Sequence, residues 1–240
     1  DLKDFLNVHT PDRVPILALR HMVLFPGVVT PILIGRQASK ALVEKAEKKG
    51  LIIGVVAQRD PDVDYPDKHD LYEVGVYAKV MKLLTLPNGN ITAILQGLGR
   101  LELNEIVSTS PYLEGDVTAL EEDLPDPKDR EFNTAVADLR DMVSKYVTVS
   151  DEIPDEASFA IKNISNTVMM LNFVCTNMPF NYKEKQKLLE IGLVKERLFT
   201  TMKMLNREIN LQNLKADIRN KTREDIDEQQ RNYFLQQQIK

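Results

Sequence analysis

Few residues of this chain have the types and the spacing that nucleophilic catalysis requires. Ser39 and Lys40 are a nucleophile and a base by type, but neighbours on a helix face different directions, so they cannot work as a pair on one face. Cys175 lies in the apolar stretch VMMLNFVCTNM, which favours a buried packing cysteine over a reactive thiol. The sequence therefore offers no clustered nucleophile and base, and we predict no catalytic residue within it.

Metal binding is also poorly supported. The three histidines, His9, His21 and His69, lie far apart in the sequence, and none has the spacing of a metal-ligand set. His69 and Asp70 are adjacent within an acidic, proline-bearing loop at residues 59–73, which we interpret as solvated. We predict no metal site.

The sequence does not contain the glycine patterns that are typical of nucleotide-binding sites. The phosphate-loop pattern G-x-x-x-x-G-K-[ST] is absent, and the nearest dinucleotide-like pattern, at Gly97 and Gly99, has Glu102 where a third glycine is needed. Glycines inside a strand are typical of a bulge or bend. We therefore predict no cofactor within these residues.

Composition and charge limit the remaining classes of function. The 240 residues are 43% hydrophobic and 28% charged, which fits a soluble protein with a real core. No apolar run approaches a membrane span, the polar N-terminus does not resemble a signal peptide, and a single cysteine fits a reducing cytoplasm. Residues 1–124 carry 13 basic and 18 acidic residues, which disfavours nucleic-acid binding.

The first half of the chain has the pattern of a small β domain. Apolar runs bounded by turn signals predict six strands, at 14–20, 28–35, 51–58, 74–86, 91–103 and 112–120. One amphipathic helix is predicted at 37–49 with Gly50 as its C-cap, and Asn88-Gly89 predicts a tight hairpin. Pro31 inside the second strand indicates an edge strand or a bulge. A partly closed barrel fits this pattern.

The second half has only helical signals. Pro125 and Pro127 mark the boundary, and helices are predicted at 129–147, 154–163, 166–176 and 182–190. From Leu193 to Lys240 no residue breaks a helix. We therefore predict an α+β protein with a β domain at 1–124, a helical bundle at 125–192 and a long helix at 193–240.

The long helix carries a sparse apolar pattern. Its first part has apolar residues at 4-3-4 spacing, which can bury a face against the preceding helices and are candidates for helix pairing: Leu198, Met202, Leu205 and Ile209. Its second part is too polar for a globular core. We expect it to bridge domains or to join a coiled coil.

Met22, Leu24, Phe25 and Pro26 form an apolar run before a Pro-Gly turn. One interpretation is core followed by a turn. The other is an exposed apolar rim that contacts unfolded chains, and these four residues are then the candidate substrate contacts.

Three stretches in order resemble the N-terminal region of Lon, the ATP-dependent AAA+ serine protease family. The stretch VPILALRHMVLFPGVVTPILIGRQASKAL resembles the family's opening strand, turn, strand and helix. The stretch YEVGVYAKVMKLLTLPNGNITAILQGLGRLEL is similar to its hairpin, which ends in a Gly-x-x-Arg element at Gly97–Arg100. The last residues, RNYFLQQQIK, resemble the segment that leads into the ATPase module.

This resemblance implies a PUA-like β domain that recognises unfolded or damaged proteins and a long helix that helps to assemble a hexamer. The parent protein would be an ATP-dependent serine endopeptidase that degrades misfolded and short-lived regulatory proteins. Its Ser-Lys dyad and its site for ATP and Mg would lie beyond Lys240. The fragment itself would be a non-catalytic, cytoplasmic monomer or weak dimer. Two alternatives remain: a PUA-like module that binds nucleic acid, and a passive coiled-coil scaffold.

Overall fold

The computed structural model describes residues 10–239, which form six strands and six α-helices. The strands are β1 (Arg13–Leu19), β2 (Val29–Ile34), β3 (Ile52–Ala57), β4 (Val74–Thr85), β5 (Ile91–Ser108) and β6 (Glu114–Leu120). The helices are α1 (Gln37–Lys49), α2 (Arg130–Val149), α3 (Asp155–Asn163), α4 (Thr167–Asn177), α5 (Tyr182–Glu190) and α6 (Val194–Gln238). The predicted α+β class, with strands first and helices after, is confirmed.

The strands close into a barrel because β5 is long enough to pair with three others. The sheet order is β2-β5-β4-β3-β1-β6, and β6 also pairs with the second half of β5. The ring therefore runs β5-β4-β3-β1-β6 and back to β5, while β2 pairs with the first half of β5. Only β1 and β3 are parallel, and α1 lies in the chain between them.

A bulge in β5 bends the strand where its two halves separate. The register with β4 jumps from Val76↔Arg100 to Ala78↔Gly97, as the glycine pattern predicts. Gly97 must be a glycine at this point, because a Cβ there would lie 2.2 Å from the carbonyl oxygen of Phe25. The bulge thus lets the loop before β2 pack against the strand.

Two hydrophobic clusters hold the molecule together. The smaller one includes Ile16, Tyr77 and Leu101, from strands of the closed ring. The larger one is continuous from the strands through α1 into α2, α4 and α6, so the β part and the helical part share buried side chains. The predicted domain boundaries at residues 124 and 192 stay a prediction.

Helix α6 begins inside the protein and ends in solvent. Leu198 and Leu205 are fully buried, and Gln212 is the last buried residue. Every residue from 213 to 239 is exposed. The helix has 45 residues and would measure about 68 Å. Within residues 10–239, no helix is both long enough and apolar enough to cross a membrane.

We expect the two parts of α6 to differ in amide hydrogen exchange. Residues 194–212 share the buried cluster and should be protected for hours. Residues 213–239 have no tertiary contacts that bury them and should exchange within minutes, because a helix without packing is marginal in water. Slow exchange of residues 213–239 in a dilute sample would contradict this and would indicate that a second chain covers them.

Candidate functional site

The run before β2, predicted as a possible substrate-contact rim, is mostly core. Leu24 is 3% exposed and Phe25 is 0% exposed. The exposed-rim interpretation is therefore wrong for these two residues, and the alternative of core followed by a turn describes them. Met22 and Pro26 are partly exposed, and substrate contact at these two positions stays a prediction.

The loop is buried because hydrogen bonds fix it on two sides. The Gly27 N–H donates to the Gly97 carbonyl at 2.9 Å, and the Gly97 N–H donates to the Val28 carbonyl at 2.9 Å. From the helical part, the Asn172 side-chain amide donates to the Pro26 carbonyl at 3.1 Å. These contacts direct the Phe25 side chain into the shared cluster and join the loop to α4.

Asn172 belongs to a buried polar network that centres on Arg197 in the first turn of α6. The Arg197 guanidinium donates to the Asn172 side-chain oxygen at 3.0 Å and to the Glu122 carboxylate at 2.8 Å. It also donates to the carbonyls of Leu188 and Ile191 at the end of α5. The Arg197 side chain has no solvent exposure, yet each of its nitrogens has an acceptor.

Arg100 of β5 reaches the same carboxylate from the barrel. Its guanidinium donates to Glu122 at 3.1 Å, to the Leu189 carbonyl at 3.2 Å and to the Glu121 carbonyl at 2.9 Å. Burial lowers the pKa of Arg100, and Glu122 opposes that effect. Arg100 is the arginine of the Gly-x-x-Arg element, so this motif supplies a buried arginine that connects the barrel to the helical part.

We call the buried network of Arg197, Arg100, Glu122 and Asn172 the joint. It gives hydrogen-bond donors to backbone carbonyls that would otherwise have none. The last carbonyls of a helix lack partners within it and carry partial negative charge, so two guanidiniums near the end of α5 are well placed. Backbone bonds complete the contact: Asp123 N–H donates to the Gly192 carbonyl, and Val194 N–H donates to the Asp123 carbonyl. The joint therefore connects β5, the segment after β6, α4, α5 and α6.

The four residues predicted for helix pairing face the inside of the chain. Leu198 and Leu205 are fully buried, so the expectation that they bury a face against the preceding helices is confirmed. They are not available to a second chain, and the prediction of pairing with one is wrong for them. Met202 and Ile209 are partly buried against the same cluster. Exposed apolar residues of the helix are Phe199 near its start and, further along, Leu211, Leu214 and Ile218.

An exposed apolar surface lies on the outer face of β2, β5 and β4. Leu33 pairs with Thr92, which pairs with Leu84; Pro31 pairs with Ile94. Residues paired across strands point to the same face, so these rows form one surface, roughly 10 Å by 14 Å from strand spacings. We call it the outer β face: the exposed residues Val29, Pro31, Leu33 and Leu84 and the half-buried Ile94, with Met81 exposed at the adjacent bulge.

The outer β face is locally basic in an acidic half of the chain. Lys79 and Lys82 are exposed and lie in the rows of Val29 and Pro31. Residues 29–34, 79–85 and 91–96 contain no Asp or Glu. Of the two alternatives predicted for Pro31, an edge strand or a bulge, the edge strand is confirmed. The sequence did not predict the outer β face, because strand pairing decides which residues of different strands become neighbours.

The cysteine and histidines considered for chemistry lie in different surroundings. Cys175 is fully buried, burial raises its pKa to about 11, and its sulfur contacts the Thr201 hydroxyl at 3.4 Å. His21 packs edge-on against the Tyr182 ring, and His69 lies in a short 3₁₀ turn. His9 lies outside the described residues. Among residues 10–239, no group of three His, Cys, Asp or Glu side chains could hold a metal ion.

Comparison with solved structures places this barrel and helical part in a known fold. The N-terminal domain of Mycobacterium avium complex Lon protease superposes with a TM-score of 0.63 over 81% of this chain and 98% of that chain, at 19% identity. A Lon N-terminal domain protein from Xanthomonas campestris gives a TM-score of 0.56 over 79% of this chain and 96% of that one, at 18% identity. The chain thus has the fold of Lon N-terminal domains.

Sequence comparison identifies the family. Residues 13–207 match the family model described as the ATP-dependent protease La (LON) substrate-binding domain, so the chain belongs to that family. It is 47% identical over 229 residues to Lon protease of Parabacteroides distasonis and 44% identical over 234 residues to that of Porphyromonas gingivalis. These alignments cover 95% and 97% of this chain but 28% of each relative, so the chain spans little more than a quarter of their length.

Proposed function

We propose that this chain recognises protein substrates for an ATP-dependent Lon protease through the outer β face. The observation that carries the proposal is an exposed apolar surface on a domain of the Lon substrate-binding family. Lysines border this surface, and the strand segments that form it, residues 29–34, 79–85 and 91–96, contain no carboxylate. Contiguous exposed apolar surface is typical of interaction sites. The ligands are unfolded or damaged proteins.

The chemistry of the face suits a binder of many different sequences. Apolar burial is non-directional, so it rewards any exposed hydrophobic segment without requiring a fixed side-chain pattern. Lys79 and Lys82 add an attraction for segments that carry acidic residues, and salt should weaken that attraction. Folded proteins expose few such segments, and selectivity for unfolded clients follows from this.

The rest of the proposal concerns the larger protein. We place this chain in a cytoplasmic homohexamer, where α6 carries the β part above the ring and its exposed second half contacts neighbouring subunits. ATP and Mg binding, and Ser-Lys peptide-bond hydrolysis of misfolded and short-lived regulatory proteins, would reside in other parts of the protease. Alone, the fragment should be a monomer or a weak dimer, because ring formation raises the effective concentration of its helices.

The face can be tested with a client that cannot fold. Replacing Leu33 and Leu84 by serine should weaken binding of a reduced, alkylated protein about tenfold, which corresponds to ~1.4 kcal/mol of lost apolar contact. The measurement is a fluorescence titration with the 240-residue chain. Val107, exposed near the other end of β5, provides the matched control, and Val107→Ser should bind normally.

The same titrations separate the alternatives. Unchanged affinity in the Leu33→Ser/Leu84→Ser variant would exclude the outer β face. No binding by the unmodified chain would leave the scaffold alternative. Tight binding of RNA that weakens steeply with salt would favour a nucleic-acid module instead, against the acidic balance of residues 1–124.

A further inference from the structure

Strand β2 has one edge that no described strand covers. Its partner within residues 10–239 is β5 alone. The Gly97 N–H donates to the Val28 carbonyl, which fixes the alternation along the strand. The backbone groups of Thr30, Ile32 and Ile34 therefore point toward β5, and those of the residues between them point to the open edge.

Pro31 confirms this orientation. Proline has no N–H, so within a sheet it occupies positions whose N–H would face away from the ladder. It sits midway along the open edge, between Val29 and Leu33. The edge therefore presents two N–H donors, from Val29 and Leu33, and three carbonyl acceptors.

The far end of this edge opens into a basic cavity. A cavity of about 470 Å³ is lined by residues 17–20 and 32–36, together with Met22 and Ser39. Arg20 and Arg36 are its charged lining residues. Arg20 also pairs with the Asp64 carboxylate at 3.1 Å, and Arg36 donates to the Gln58 side chain and to the Val63 carbonyl, so the two guanidiniums and this one carboxylate leave one net positive charge. Burial and the neighbouring Arg20 lower the pKa of Arg36, and Asp64 opposes them, so a second carboxylate here would balance the remaining positive charge.

We propose that the open edge of β2 binds an extended segment of a client as an added strand, with an acidic residue of that segment beside Arg20 and Arg36. This rests on the proposed function and specifies how the site would recognise its ligand. The occupant is an unfolded polypeptide with apolar side chains at alternate positions and a carboxylate at one end. Charge complementarity with the cavity favours this occupant over a neutral or basic segment.

Strand addition explains how recognition can be general yet selective. Main-chain hydrogen bonds supply affinity that does not depend on the client's sequence, and the adjoining face supplies contacts for alternate side chains. A folded client has its backbone groups paired and cannot offer them. Pro31 removes the central donor, and proline is one of the devices that keep sheet edges from pairing irreversibly. Binding should therefore be weak and readily reversed.

The decisive probe is a synthetic peptide of alternating leucine and serine with an aspartate at one end. Two N-methylated versions block the N–H groups of alternate residues, one on each edge of the extended peptide. With the 240-residue chain, one version should bind at least tenfold more weakly than the parent, and the other should change less than threefold. Equal affinity of both versions would overturn strand addition while leaving apolar recognition by the face intact.

Matched variants test the protein side. Leu33→Pro removes an edge donor but no hydrogen bond to β5, and Leu33→Ala keeps that donor while shortening the side chain. Circular dichroism should show both folded, and Leu33→Pro should bind the peptide at least fivefold more weakly than Leu33→Ala. Arg20→Gln should remove most of the preference for aspartate over lysine at the peptide's end. The opposite ranking of the two Leu33 variants would overturn the proposal.

Two other outcomes would mean that the open edge of β2 does not bind a client. If neither the peptide nor an unfolded protein binds, the proposed function fails together with the strand addition. If the chain alone forms a dimer that Leu33→Pro dissolves, the edge belongs to a second copy, and the client proposal is overturned. Sedimentation over a range of concentrations distinguishes these cases.

Discussion

Replacing Arg197 by methionine should lower the free energy of unfolding by about 3–5 kcal/mol, because it leaves the Glu122 carboxylate buried with one partner fewer. The Glu122 side chain is 3% exposed, so bulk solvent has little access to take the place of the lost guanidinium. The Asn172 side-chain oxygen and the carbonyls of Leu188 and Ile191 lose their hydrogen bonds from Arg197 in the same step. Urea denaturation followed by circular dichroism measures the loss.

The control for this prediction is another arginine of the helical part. Arg207 of α6 pairs with Glu184 at 2.8 Å, but its side chain is 55% exposed, and Arg207→Met should cost less than about 1 kcal/mol. Adding Glu122→Gln to Arg197→Met should restore part of the loss, since the stranded charge is then removed. A cost for Arg197→Met as small as that of Arg207→Met would mean that the joint does not stabilise the fold.

The joint also has a consequence for how the chain could work inside a larger protein. Arg197 lies in the first turn of α6, and through Asn172 it is two hydrogen bonds from the loop before β2. Through Glu122 it reaches Arg100 in the barrel. The base of α6 and the β part therefore behave as one packed body, and the outer β face would move with the helix. The exposed second half of α6 is where flexibility can enter.

Local patterns were sufficient to predict the elements of this fold. Helix α1 was predicted at 37–49 because its apolar residues recur with helical spacing and Gly50 can adopt the left-handed conformation, which it does at φ 65°. Asn88-Gly89 predicted the β4–β5 hairpin, and Gly89 has φ 85°. Such signals act within a few residues, so one sequence is enough to find them.

Pairing and burial were harder to predict because they depend on distant residues. The closure of the barrel needs β6 to reach the second half of β5, and nothing local in either strand specifies that partner. The spacing of Leu198 and Leu205 fits both burial against the preceding helices and pairing with a second chain, and only the structure shows that the first holds. Exposure of Leu33 follows from its register with Thr92 and Leu84, which the sequence of β2 alone does not contain.

The sequence also left open whether Phe25, in the loop before β2, is buried or exposed. A second substitution tests its role in the core. Phe25→Ala should lower the free energy of unfolding by about 3–5 kcal/mol, because the truncation leaves a cavity in a side-chain cluster that cannot collapse fully. Phe25→Asp should prevent folding, because it buries an unpaired carboxylate. Met22→Ala, at a partly exposed position of the same loop, should cost roughly 1 kcal/mol or less.

Client binding distinguishes this core role from a contact role. At a temperature where Phe25→Ala is still folded, its affinity for an unfolded protein should stay within twofold of the original chain, since a side chain without exposed surface cannot touch a ligand. Thermal denaturation and the fluorescence titration, made on the same samples, provide both quantities. If Phe25→Ala keeps its stability but loses the client, the loop opens in solution and the exposed-rim interpretation is restored; if it loses stability and keeps the client, recognition lies outside this loop, as the outer β face requires.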